Sequence, residues 1–193
     1  MRVVAGEFKG RTLAGPPGKG VRPTSDKVRE ALFSILGPVQ NLRVLDLFAG
    51  TGALGIEALS RGAASAVFVE KDGRAASTIN KNLAATAGLA GERAKLVRGD
   101  ALRALGDLAG EQFDLVFVDP PYAQAGVLAP RLAGLIPPVL APNARVVAEC
   151  DRRAPLELGG GASEAGLAMG LERKYGDTLI RIFSRSDAGE PVT

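Results

Sequence analysis

Asp119-Pro120-Pro121-Tyr122 follows the apolar run Leu115-Val116-Phe117-Val118 and is the stretch of this chain with the most pointed chemistry. Consecutive prolines fix φ twice and hold the residues before them extended. The product is a rigid bracket with one carboxylate, carbonyls beside residues that lack an amide donor, and one aromatic ring. It suits a planar group carrying an exocyclic NH2: the carboxylate and a proline carbonyl accept its two N–H bonds while the tyrosine stacks on the ring. An aromatic amine is a poor nucleophile because its lone pair is delocalised. Two acceptors aimed at its hydrogens favour a pyramidal nitrogen and stabilise the charge that develops on it. An ordinary strand-ending turn could contain the same residues, so the bracket draws its meaning from what accompanies it.

Three further candidates sit at the ends of apolar runs, where open parallel sheets bind ligands. In Leu45-Asp46-Leu47-Phe48-Ala49-Gly50-Thr51-Gly52-Ala53-Leu54-Gly55, glycines permit a tight strand-to-helix turn and close approach of the backbone to a ligand. Gly50-x-Gly52-x-x-Gly55 also fits a dinucleotide fingerprint, so the motif predicts a nucleoside-type cofactor without choosing one. Glu70 ends the next run, where a carboxylate can accept both hydroxyls of a ribose; an exposed strand-end charge would look the same. Asp100, in Gly99-Asp100-Ala101, is placed to bind an adenine amino group, to cap the next helix, or both.

The chain has no histidine, which excludes Ser-His-Asp triads, Cys-His pairs and HExxH zinc sites. Methyl transfer from a sulfonium needs neither histidine nor metal; it needs in-line positioning. One cysteine, Cys150, forms no internal disulfide, and after an apolar strand it reads as a packed core residue. No run of 18 apolar residues spans a membrane, and MRVVAGEFKGR puts charge where a signal peptide needs apolar residues. A cytoplasmic location is expected. The net charge of +3 is unevenly spread: residues 1–30 hold seven basic and three acidic side chains, the other 163 hold 17 and 18. A basic N-terminal element on a near-neutral body fits a polyanionic partner, or only a solvated face.

The elements that must position these groups follow from periodicity. Residues 2–13 read as a short strand pair, followed by a Gly/Pro loop through Lys19. Thr24 is the candidate N-cap of a helix whose stripe is Val28, Ala31, Leu32, Ile35 and Leu36, closed by Gly37-Pro38. Strands are predicted at Arg43–Phe48, Ala66–Glu70, Ala94–Arg98, Leu115–Asp119 and Arg145–Glu149. Helices are predicted at Leu54–Arg61, Gly73–Ala87, Ala101–Leu108 and Val127–Leu135. Nearly all-apolar strands spaced by helices predict a parallel sheet covered on both faces. Leu171–Tyr175 and Thr178–Ser184 flank Gly176-Asp177 as an antiparallel hairpin; Gly159–Gly166 reads as a flexible loop and Asp187–Thr193 as a frayed tail.

With these residues in view, the sequence resembles the class I S-adenosylmethionine-dependent methyltransferases with an (Asn/Asp)-Pro-Pro-(Tyr/Phe) motif, and within them the RsmD family of 16S rRNA guanine-N2 methyltransferases. The matching blocks are Val4–Arg11, Arg22–Phe33, Leu45–Gly52, Asp119–Tyr122 and Arg173–Thr178, in order over roughly residues 2–184. The resemblance implies a Rossmann-like α/β fold with a seven-stranded, mostly parallel sheet of order 3-2-1-4-5-7-6. It further implies a basic hairpin extension at 1–21, a methyltransferase domain at 22–185 and a tail at 186–193. Asp46, Phe48, Gly50 and Gly52 would hold the methionine end of S-adenosylmethionine, Glu70 the ribose, and Asp100 with Ala101 the adenine. Asp119 and the Pro120 carbonyl would hold the guanine amine, with Tyr122 against the base. Arg2, Lys9, Arg11, Lys19 and Arg22 would lie on the phosphates of 16S rRNA, free or in the small ribosomal subunit, which position without specifying. Arg22, Thr24 and Asp26 border the cofactor pocket or the substrate. A flipped or unpaired base, a monomer and no metal or membrane partner are expected.

Competing readings have distinct signatures. Adenine-N6 or protein-glutamine methylation more often uses Asn at the first bracket position and adds a recognition domain. A nicotinamide-dependent oxidoreductase gives Asp119–Tyr122 no role. A non-catalytic RNA-binding relative would have a damaged loop or bracket, and both are intact in the sequence.

Overall fold

Apolar strands that alternate with helices in the sequence do so in the chain's computed structural model, which describes residues 1–16, 25–86, 91, 93–159 and 166–185. Lys19, Arg22, Thr24, the interior of the 159–166 loop and the 187–193 tail fall outside the described residues. The chain divides into two compact units, Met1–Ala104 and Leu105–Thr193.

In the first unit the expected N-terminal strand pair is reduced to one antiparallel bridge, Arg2 to Thr12. Gly6 and Gly10, at φ 85° and 84°, turn the chain before either arm can extend. Val3, Gly10 and Leu13 keep their amides bonded across the arm, to the Arg11, Val3 and Met1 carbonyls, while three others go to a helix: Val4 and Ala5 donate to Glu57 at 2.7 and 3.0 Å, and Phe8 donates to Ser60 Oγ at 3.0 Å. Gly6 has no alternative there, since a Cβ would lie 1.9 Å from the Ser60 carbonyl oxygen.

Helix α1 runs Asp26–Leu36, and its cap is Ser25, whose Oγ accepts the Val28 amide at 3.2 Å, rather than Thr24. Its buried face is Arg29, Leu32, Phe33 and Leu36, rotated from the predicted stripe, and Ile35 is left exposed. Phe33 buries more apolar surface than Ile35 does, and Arg29 is drawn inward by Glu57, 3.5 Å from its Nε. Parallel strands β1 (Arg43–Leu47), β2 (Ser65–Glu70) and β3 (Ala94–Arg98) alternate with α2 (Ala53–Ser60) and α3 (Gly73–Ala85). Strand β1 stops one residue short of prediction because Phe48 takes φ 61°. Val44, Leu45, Leu47, Ile56, Leu59, Phe68 and Ile79 form the core of this unit. Helix α4 (Ala101–Asp107) carries the division between units.

The second unit holds β4 (Phe113–Val118), a 3-10 turn at Tyr122–Gln124, α5 (Ala125–Leu135), β5 (Leu140–Asp151), β6 (Leu167–Tyr175) and β7 (Thr178–Arg185). Strand β5 begins five residues before the predicted Arg145. Ala141-Pro142-Asn143 forms an irregularity inside the strand: Asn143 sits at φ 62° and the register with β4 shifts between Phe113 and Leu115. The predicted terminal hairpin is present, with β7 antiparallel to both β5 and β6.

The strand order is β3-β2-β1-β4-β5-β7-β6. Among the described residues no helix is long and apolar enough to cross a membrane, and no group of three His, Cys, Asp or Glu could hold a metal ion.

Candidate active site

Strand β1 delivers Asp46 to a loop that reverses direction within five residues. Phe48, Gly50 and Gly52 all take left-handed backbone, at φ 61°, 57° and 75°. Glu70, at the end of β2, clamps this loop: Oε2 accepts the Gly50 amide at 2.8 Å and Oε1 the Asp72 amide at 2.7 Å. Each carboxylate oxygen has a second lone pair, so the clamp leaves acceptor capacity for hydroxyls. A Cβ on Gly50 would meet nothing closer than 3.9 Å, so the backbone there is open to a ligand.

Gly55 is different. A Cβ at Gly55 would lie 2.3 Å from Phe68 Cε1, so the third glycine of the fingerprint serves helix–sheet packing. Its amide donates to Asp46 Oδ2 at 3.0 Å. Asp46 is 3% exposed, and burial pushes its carboxyl up to about 8, against the pull of the Gly55 amide and with a further push from the Glu70 charge. Burial therefore favours the neutral acid at this position, beside an open stretch of backbone.

Asp100 caps α4, accepting the Leu102 amide at 3.1 Å and the Arg103 amide at 3.4 Å, with Lys71 Nζ at 3.4 Å. Slight burial raises its carboxyl, but the two amides and Lys71 outweigh that and hold it below its usual value. Ala101, the first residue of α4, is buried beside it. Asp46, Gly50, Gly52, Glu70 and Asp100 therefore gather around the ends of β1, β2 and β3.

Asp119, Pro120 and Tyr122 form a separate cluster at the end of β4. Pro121 takes φ −53° and ψ 130°, its carbonyl accepts the Gln124 amide at 2.8 Å, and the chain turns into the 3-10 turn. No backbone amide among the described residues donates to the Pro120 carbonyl. Tyr122 is 49% exposed; its phenol is held above its usual value, first by partial burial and then by the charges of Asp119, Glu149 and Asp151. Cys150 is buried, its thiol donating to the Leu179 carbonyl at 3.7 Å and raised by burial, as a packed core residue should be.

Sequence reasoning missed two buried polar side chains that bind the N-terminal arm. Glu57, 1% exposed, binds two arm amides, Arg29 and Arg61, the last at 2.8 Å. Its signal was visible: one carboxylate within the apolar helix ALGIEALS. Asn82 on α3, also 1% exposed, gave none, because a lone Asn in a helix is unremarkable. Of the basic residues assigned to a polyanion, Arg2, Lys9 and Arg11 are exposed on the arm.

A mostly parallel sheet with its last strand inserted antiparallel next to the fifth is the fold of the class I methyltransferases, and this chain has it. Within that class the chain belongs to the RsmD family: the family profile described as "Conserved hypothetical protein 95" matches residues 1–184. YlbH of Bacillus subtilis, named provisionally as an rRNA methyltransferase, is 40% identical over 96% of this chain and 99% of its own length. Ribosomal RNA small subunit methyltransferase D of Escherichia coli K12 is 36% identical over 98% of this chain and 92% of its own. The solved structure of YhhF of Escherichia coli, provisionally named a methyltransferase, matches with TM-score 0.78 and 35% identity, covering 96% and 97% of the two chains.

Proposed function

We propose that this chain transfers a methyl group from S-adenosylmethionine to the exocyclic N2 amine of a guanine in 16S rRNA. The observation that carries the reading is the bracket. Asp119 and a Pro120 carbonyl to which no described amide donates offer two acceptors, beside a half-exposed tyrosine ring. The names of the full-length relatives support an rRNA substrate. In the cell such a substrate belongs to the cytoplasm.

The first unit fits the cofactor by its donor set. Asp46 offers a carboxylate to a cationic methionine end, and the Phe48–Gly52 loop offers backbone with no side chain over Gly50. Glu70 offers the second lone pairs of both oxygens to ribose hydroxyls, and Asp100 with Ala101 borders the adenine. S-adenosylmethionine supplies an electrophilic methyl on a sulfonium. This chain's work is to hold the amine. Asp119 and the Pro120 carbonyl accept its two hydrogens, which frees the nitrogen lone pair and stabilises the charge that develops there. Tyr122 stacks on the base and fixes the approach. Arg2, Lys9 and Arg11, exposed on the N-terminal arm, lie on RNA phosphates.

Asp119→Ala tests the assignment. Methyl transfer should fall by at least about 100-fold, the scale of removing one preorganised polar partner of developing charge. Binding of S-adenosylmethionine by calorimetry should stay within about twofold of wild type. Lost cofactor affinity, or retained turnover, contradicts the role.

A further inference from the structure

Asn82 is a buried amide with all of its hydrogen bonds directed at two backbone segments. Its Oδ1 accepts the Ala14 amide at 2.7 Å, and its Nδ2 donates to the carbonyls of Ala14 at 3.2 Å and of Thr51 at 2.9 Å. Ala14 closes the N-terminal arm, just after Leu13 N–H bonds the Met1 carbonyl at 3.0 Å. Thr51 stands between the two left-handed glycines of the Phe48–Gly52 loop.

The Thr51 carbonyl needs this donor for a specific reason. In a helix the amide four residues on, Gly55, would satisfy it, but that amide donates to Asp46 instead. Helical bonding starts one residue later, from the Ile56 amide to the Gly52 carbonyl at 2.9 Å. Thr51 precedes the left-handed N-cap Gly52, so its carbonyl stands outside the helical ladder; the residue is only 8% exposed, and Asn82 supplies the partner. The same side chain ties that partner to the arm. A second, weaker tie joins Thr51 Oγ1 to Met1 Sδ at 3.9 Å.

We propose that Asn82 is a positioning residue that makes the N-terminal arm a support of the cofactor loop, in addition to any contact the arm makes with RNA. The inference rests on the reading of the Phe48–Gly52 loop as the S-adenosylmethionine site. Without the Nδ2 donor the Thr51 carbonyl must turn toward water, and the Gly50–Gly52 backbone turns with it.

Two variants test this. Asn82→Ala removes every bond; Asn82→Leu removes every bond while nearly keeping the side chain's shape, and it decides the matter should the alanine variant not fold. With folding verified by circular dichroism at the assay temperature, S-adenosylmethionine affinity by calorimetry should fall about tenfold in either, the scale of one buried hydrogen bond lost. KM for the cofactor should rise with it, while kcat at saturating cofactor stays near wild type, because Asp119 is untouched. A lowered melting temperature with unchanged cofactor affinity would overturn the proposal and leave Asn82 a purely structural residue. If the wild-type chain itself fails to bind S-adenosylmethionine, the cofactor reading falls and this inference with it.

Discussion

Asp46 is held in its neutral form near neutral pH, because burial costs its charged form more than one amide hydrogen bond returns. Its folded pKa, about 8, lies above the ordinary value of 3.8, so the folded chain keeps a proton that the unfolded chain releases. Stability from this group is full below about pH 4 and is lost progressively as pH rises through 8. Asn cannot ionise, yet its side-chain oxygen can still accept the Gly55 amide. Asp46→Asn should therefore unfold like wild type at pH 4 in the cofactor-free state and gain a growing advantage up to about pH 8. Denaturant midpoints of both proteins across that range check it; parallel curves would contradict the shift. At this scale the sequence was partly legible. The spacing of Asp46, Glu70 and Asp119 at strand ends was plain, but nothing in the letters shows that Gly55 serves Phe68, or that Glu70 grips the Gly50 amide. Those depend on packing between residues 13 and 20 positions apart.

Helix α2 begins at the glycine loop and carries, one turn on, the carboxylate that holds the arm. Glu57, itself 1% exposed, joins two arm amides and two guanidiniums, and Arg29 is fully buried against it. Glu57→Ala should cost about 3–5 kcal/mol, the range for removing one member of a buried charge cluster. Glu7→Ala, which breaks an exposed 3.7 Å pair with Arg93, should cost less than about 1 kcal/mol. Equal costs in urea unfolding would contradict the ranking. Element types were readable because burial on one or both faces writes itself as periodicity: β3 falls on the predicted Ala94–Arg98. Boundaries failed where one residue's backbone overrode the pattern, at Phe48 and at Asn143 within β5, and where the Ser25 hydroxyl took the cap. The N-terminal pair shrank to a bridge because Gly6 and Gly10 turn the chain early and the Val4, Ala5 and Phe8 amides go to Glu57 and Ser60, partners more than 50 residues away.

For the molecule as a whole, the uneven charge is the feature that composition revealed and the structure makes usable. Arg2, Lys9 and Arg11 are exposed, and the weak 4.0 Å contact of Arg2 with Asp26 leaves its side chain 71% accessible. Replacing all three with Gln should weaken RNA binding and make its dependence on log salt shallower by about 2, since each phosphate contact on single strands contributes about 0.7. An unchanged slope would mean that the arm serves the fold and the loop but not RNA. The central proposal is methylation of a guanine N2 amine in 16S rRNA. The measurement that tests it most directly is incubation of the chain with isotopically methyl-labelled S-adenosylmethionine and undermethylated small ribosomal subunits, followed by nucleoside mass spectrometry. Label in N2-methylguanosine is the predicted result; label in any other nucleoside, or none in RNA, would contradict it.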